Sequence, residues 1–173
     1  MNSKAIFRIV VYFLNFLALQ WLVARNLNLG GIAFCHAYIG AILLLPIEFN
    51  AVMVLLLAFA SGLMTDVFYD TPGLHAAAAV FAAWLRHLNQ KILTPAGGYE
   101  DYMEVSVGSM GLRWYLLFML PVLFFHSLML FLLEYASLDH ILLILAKAAA
   151  SSAFTLIIIL IVQNALYRPQ GNR

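Results

Sequence analysis

Six apolar runs separated by short polar breaks leave this chain few ways to fold. About 20 residues are needed to carry a helix across the hydrocarbon core of a bilayer. The runs cover 6–24, 32–47, 51–69, 72–93, 114–135 and 141–166, of which the second is short. The breaks between them carry turn residues: Asn26 to Gly31, Pro46 to Asn50, Asp70 to Gly73, and Ser137 to Asp139. A soluble domain carries about 25% charged residues. Here 65% of residues are hydrophobic and 10% are charged, with a mean hydropathy of +0.95. The sequence therefore predicts an all-α polytopic membrane protein, one integral domain over 1–173 with six transmembrane helices.

Charge sets the expected orientation. Six spans place both termini on one side, and the excess of Lys and Arg marks the cytoplasmic side. With the termini inside, Lys4, Arg8, Arg86, Lys91, Arg113, Arg168 and Arg173 are inside, and only Arg25 and Lys147 are outside. A five-span arrangement, with the second run only dipping into the membrane, would split the basic residues and lose this bias. The first apolar run is longer than a signal-peptide core and no small-x-small cleavage site follows it, so it reads as an uncleaved anchor. A net charge of +1 gives no electrostatic support for nucleic-acid binding. Cys35 is the single cysteine and lies in an apolar run, which suits a buried thiol and excludes an intrachain disulfide.

The stretch from Ser61 to His75 places Asp66, Asp70 and His75 where the third run ends and the fourth begins. Ionisable groups in hydrocarbon cost roughly 2.5–3.5 kcal/mol each on insertion scales, which makes them functional suspects. Thr71-Pro72-Gly73 reads as a helix start, with Thr71 as N-cap and Pro72 at the first helical position. Asp66 and Asp70, four residues apart, would share a helix face beside the positive N-terminus of the fourth helix. Two roles are open for the cluster. It can brace the hairpin tip through hydrogen bonds, as buried polar groups require, or it can line a pocket for a ligand, ion or partner helix. One His and two Asp without a second ligand cluster give little support to a metal site.

The remaining polar residues are weaker signals. His36, His126 and Glu134 read as satisfied groups within the bundle, Lys147 as a side chain reaching for headgroups, and Trp21, Trp84 and Trp114 as interface anchors. Ala58 with Gly62, and Ala76 to Ala79 with Ala82 and Ala83, are small-residue faces that allow close helix packing. The second half of the loop 94–111 suits a short interfacial helix carrying Tyr99, Tyr102, Met103 and Val107. There is no HExxH motif, nucleophile elbow or phosphate loop, so no enzyme and no cofactor are expected.

Leu44-Leu45-Pro46-Ile47-Glu48, Gly62-Leu63-Met64-Thr65-Asp66, and Asp70-Thr71-Pro72-Gly73-Leu74-His75-Ala76 together resemble the rod shape-determining MreD family. Gly98-Tyr99-Glu100-Asp101 and Gly111-Leu112-Arg113-Trp114 look like its versions from the Bacteroidetes side of bacteria. Length and span count are similar too, so the likeness runs over nearly the whole chain. It implies a fold similar to the substrate-binding subunits of energy-coupling-factor vitamin transporters. It also implies a non-enzymatic subunit of the elongation machinery in the bacterial inner membrane. The expected partners are an MreC-type single-span protein and, through it, MreB, RodA and a penicillin-binding transpeptidase. Carried over position by position, the motif is Gly62, Asp66, Asp70, Pro72, Gly73 and His75, with no chemistry assigned to any of them. The alternative is a vitamin-transporter substrate-binding subunit or another small solute carrier, using the same acidic cluster as a ligand pocket.

Overall fold

The computed structural model describes residues 3–99 and 104–166. Its helices are α1 (Ser3–Leu22), α2 (Tyr38–Leu43), α3 (Ala51–Tyr69), α4 (Leu74–Ile92), α5 (Val107–Met110), α6 (Leu112–Tyr135) and α7 (Ile141–Leu166). Between α1 and α2 lie a 3-10 turn at Ala24–Asn26 and a small antiparallel hairpin of β1 (Asn28–Leu29) and β2 (Ala33–Phe34). Among the described residues, four helices are long and apolar enough to cross a membrane: those at Ile9–Asn26, Ala51–Tyr69, Leu112–Tyr135 and Ile141–Ala165. The chain is thus a mostly helical protein of membrane composition. The 19-residue α4 matches α3 in length but carries Arg86, His87 and Lys91 in its C-terminal half.

The second apolar run departs from the expected helix. Only six of its residues are helical, in α2, and all six are buried. The C-terminal ends of α1 and α3 lie side by side, with Trp21 stacked on Phe68 (centroids 4.7 Å apart) and Gln20 hydrogen-bonded to Tyr69. The segment joining α1 to the start of α3 must therefore run the length of α3, about 28 Å at 1.5 Å per residue. It does so half-extended. Non-helical backbone is tolerated in an apolar core only where other groups bond its N–H and C=O, and here neighbouring side chains supply those bonds. The Phe34 N–H donates to Ser151 Oγ (2.9 Å) and the His36 N–H to Thr155 Oγ1 (3.0 Å). Gln20 Oε1 accepts from the Tyr38 N–H (3.2 Å), and Gln20 Nε2 donates to the Cys35 carbonyl (3.2 Å).

The same device recurs at α6. Pro121 has no N–H, which frees the Leu117 carbonyl one turn earlier. Asn89 Nδ2 on α4 donates to both Leu117 O (3.0 Å) and Phe118 O (2.9 Å). The main core forms where α2 sits among α1, α3, α4, α6 and α7, around Phe16, Tyr38, Ile42, Tyr115, Phe118 and Ile159. Large exposed apolar side chains such as Leu14, Leu56, Leu63, Val67, Leu142 and Ile161 cover the outside of the bundle, as a lipid-facing wall requires.

Several local expectations are corrected. In the loop 94–111 the described helix is only the four-residue α5, and Tyr99 turns inward, its hydroxyl donating to Gln90 O (2.8 Å). Tyr102 and Met103 lie outside the described residues. Trp84 sits mid-helix on α4 rather than near a span end, since α4 runs from Leu74 to Ile92, and its ring stacks on Phe81. Lys147 has protein partners that the sequence reading does not foresee. It is half-buried, 2.9 Å from the Tyr135 hydroxyl and over the rings of Phe34, Phe131 and Tyr135 at 5.2–5.8 Å. Three ring faces thus surround the ammonium on the protein side.

Candidate functional site at the α3–α4 junction

The junction begins with backbone geometry. Asp70 ends α3 in the left-handed region (φ +55°), a conformation that Asp and Asn accept more readily than other side chains. The Leu74 N–H then donates to Thr71 O (3.3 Å), and Gly73 lies at φ +87°, ψ −6°. With Pro72 before it, this is a type II turn. The predicted helix start at Thr71 is therefore two residues early. The turn requires Gly73 for its positive φ, and α4 begins at Leu74.

This turn leaves the first N–H groups of α4 without partners inside the helix. Asp66 supplies them from α3. Its Oδ2 accepts from the Gly73 N–H (3.1 Å) and the Ala76 N–H (3.0 Å). Its Oδ1 accepts from the His75 N–H (2.8 Å), His75 Nδ1 (3.0 Å) and the Thr71 hydroxyl (2.9 Å). Thr71 Oγ1 also lies 2.9 Å from His75 Nδ1, so the Nδ1–H tautomer lets the imidazole point its proton at both oxygens. Asp66 is 3% exposed and His75 5%. The charge of the carboxylate thus sits against the positive end of a 19-residue helix.

Gly62 makes this approach possible. A Cβ there would stand 2.6 Å from Ala76 Cα and 2.6 Å from the His75 carbonyl oxygen, so α3 and α4 touch backbone to backbone one turn before Asp66. Ala58, Ala76, Ala79 and Ala83 are buried along the same contact. Of the six motif residues, the structure joins Gly62, Asp66, Gly73 and His75 directly, and Pro72 through the turn. Asp70 does not join them. It is exposed, and its contribution is the backbone turn rather than its carboxylate.

Behind His75 lies a second polar group that the sequence does not announce. His126 Nε2 is 2.7 Å from the Tyr38 hydroxyl, which is 3.4 Å from the His75 carbonyl. The Nε2–H tautomer of His126 accounts for both contacts: His126 donates to Tyr38, and Tyr38 donates to His75 O. Nδ1 of the fully buried His126 is then an unused acceptor, which costs less than an unused donor. His36 stacks edge-on against His126 (5.3 Å), with Ser127 Oγ 3.4 Å from its Nδ1. Tyr38 and His126 are 88 positions apart, and no local spacing links them. Among the described residues no group of His, Cys, Asp and Glu is placed to hold a metal. Glu134, two turns from His126, is exposed and stands apart.

The other end of α4 carries Arg86, which the sequence reading counts among cytoplasmic charges. It is 2% exposed inside the bundle, where backbone carbonyls meet its charge. Its Nη2 donates to Leu45 O (2.6 Å) and Pro46 O (3.2 Å), and its Nη1 to Gln90 Oε1 (3.4 Å). These carbonyls belong to the chain leaving α2, where Pro46 cannot continue a helix. An open groove of about 470 Å³ lies at this end, lined among others by Glu48, Phe49, His87, Lys91 and Tyr99.

No protein-family model, no curated protein and no solved structure matches this chain.

Proposed function

We propose that this chain is a non-enzymatic inner-membrane subunit of the cell-elongation machinery, of the rod shape-determining MreD type. On this reading it binds an MreC-type single-span partner and through it connects MreB to RodA and a penicillin-binding transpeptidase. The observation that carries the reading is the sequence from Gly62 to His75, with its Gly, paired Asp and Thr-Pro-Gly-Leu-His order. The junction geometry suits it. The Asp66 oxygens are filled by backbone and side-chain donors, as in a brace, and the motif residues serve to fix one hairpin.

The proposed topology has six crossings, α1, the half-extended second segment, α3, α4, α6 and α7, with both termini cytoplasmic. Lys91 and Arg113 flank the loop at the Arg86 end and support placing that end inside. Single cysteines at Gly97 and at Leu138, which is exposed in the α6–α7 turn, in a Cys35→Ala background, test this. An impermeant maleimide applied to intact cells should label Leu138→Cys and spare Gly97→Cys, and the reverse pattern refutes the orientation.

The functional test is affinity purification in mild detergent, beside complementation of a strain that has lost its rod shape for want of such a subunit. Recovery of an MreC-type protein together with restored shape supports the proposal. Recovery of an ATP-binding cassette pair with its coupling subunit moves the assignment to vitamin uptake.

A further inference from the structure

We infer that the hairpin between α1 and α2 is an interfacial anchor, seated among phospholipid headgroups at the Asp66 end of the bundle. β1 and β2 share only the pairs Asn28↔Phe34 and Leu29↔Ala33, with Gly30, Gly31 and Ile32 at the tip. So small a ladder has little stability of its own in water. Yet Leu27, Leu29 and Ile32 are 37%, 60% and 48% exposed. Branched apolar side chains on a two-pair ladder favour a place out of water, at about 25 cal/mol per Å² of apolar surface removed. The Phe34 backbone on β2 is met by Ser151 and Thr155 of α7, but among the described residues β1 has no neighbouring strand on its outer edge, and the backbone groups there bar the hairpin from hydrocarbon. The layer that satisfies both demands is the headgroup and acyl boundary.

Two neighbouring features point to lipid as the occupant. Leu22 and Val23, 77% and 47% exposed at the end of α1, make the hairpin continuous with the apolar wall of a membrane-crossing helix. Arg25 is exposed at the same level, its guanidinium 5.5 Å from the centre of the Tyr69 ring, where a phosphate can meet it. This inference rests on the membrane-spanning character of the helices and is independent of the rod-shape proposal.

Depth-dependent quenching tests it on the full chain, purified and reconstituted in vesicles of phosphatidylethanolamine and phosphatidylglycerol. The variants Leu29→Cys and Ile32→Cys, with Cys35→Ala, carry an environment-sensitive fluorophore, and Gly97→Cys serves as the aqueous reference. Both hairpin positions are exposed, so the label disturbs no core contact. Emission at Leu29 and Ile32 should be blue-shifted and several-fold less sensitive to iodide than at Gly97. A quencher attached near the glycerol backbone should act more strongly than one near the end of the acyl chain. Arg25→Gln should move both probes toward the deeper quencher. Iodide access equal to that at Gly97 would place the hairpin in water and overturn the anchor. Dominance of the deep quencher would overturn the depth. Shielding that appears in native membranes but not in the lipid vesicles would make a protein partner the occupant instead.

Discussion

At the N-terminal end of α4 a carboxylate arrives from α3 to receive backbone N–H groups. Near its C-terminal end a guanidinium leaves α4 to meet the backbone carbonyls that follow α2. Both charges are buried, and each is used on a break in secondary structure. The signs follow the dipoles, with an anion at a helix N-terminus and a cation at a helix C-terminus. The two ends differ in how completely the charge is used. Asp66 accepts from five donors and leaves no oxygen open. Arg86 keeps an unpartnered Nε and has no carboxylate among the described residues. The lesson is that an ionisable group in an apolar core can be explained by the backbone it completes before any ligand is invoked.

The largest expected effect is at the saturated end. Asp66→Ala orphans the first N–H groups of α4 together and should cost roughly 3–5 kcal/mol, as when one partner of a buried charged pair is removed. Thermal unfolding in detergent measures it. Asp66→Asn keeps one acceptor oxygen and should recover about half of the loss. A stable Asp66→Ala protein that fails to restore cell shape would instead make Asp66 a functional ligand and break the brace account.

Arg86 should tolerate even less chemistry but cost less energy. Arg86→Lys keeps the charge yet cannot span Leu45 O, Pro46 O and Gln90 together, so a loss of about 2–3 kcal/mol is expected. If Lys is as stable as Arg in the same melting assay, the geometry of the clamp is not what matters. Gly62→Ala probes the contact that brings α3 to α4. Its methyl would meet the backbone of residues 75 and 76 rather than a movable side chain, and overpacking of that kind costs roughly 1–3 kcal/mol. An unchanged melting temperature would mean that the helices can separate at no cost.

How far the sequence reveals these features follows from how local they are. The four long apolar helices and the α3–α4 hairpin are readable because run length and turn residues are local signals. Asp66 and His75 are readable as a pair because the Thr-Pro-Gly turn lies between them. The second segment is misread as a helix because it is apolar and nearly long enough. What unwinds it is the set of hydrogen bonds from Gln20, Ser151 and Thr155, the last two more than a hundred residues away. The clamp made by Arg86 is hidden for the same reason, since its carbonyl partners are 40 and 41 positions distant. Asn89 opposite Pro121 carries no pattern at all until α4 and α6 are packed.

The smallest effect sharpens the comparison most, because it separates Asp70 from Asp66. The two acids are one turn apart and equal in sequence terms, yet only Asp66 is buried. At Asp70 the chain needs a residue that accepts φ +55°, not a charge. Asn accepts that region as readily, so Asp70→Asn should change stability by under about 0.5 kcal/mol, the range of surface substitutions. Asp70→Val, whose branched Cβ clashes in the left-handed region, should cost about 1–2 kcal/mol through strain alone. Melting of the two variants side by side measures the difference. Equal losses from Asn and Val would show that the Asp70 carboxylate is needed, and the junction would then hold two working acids.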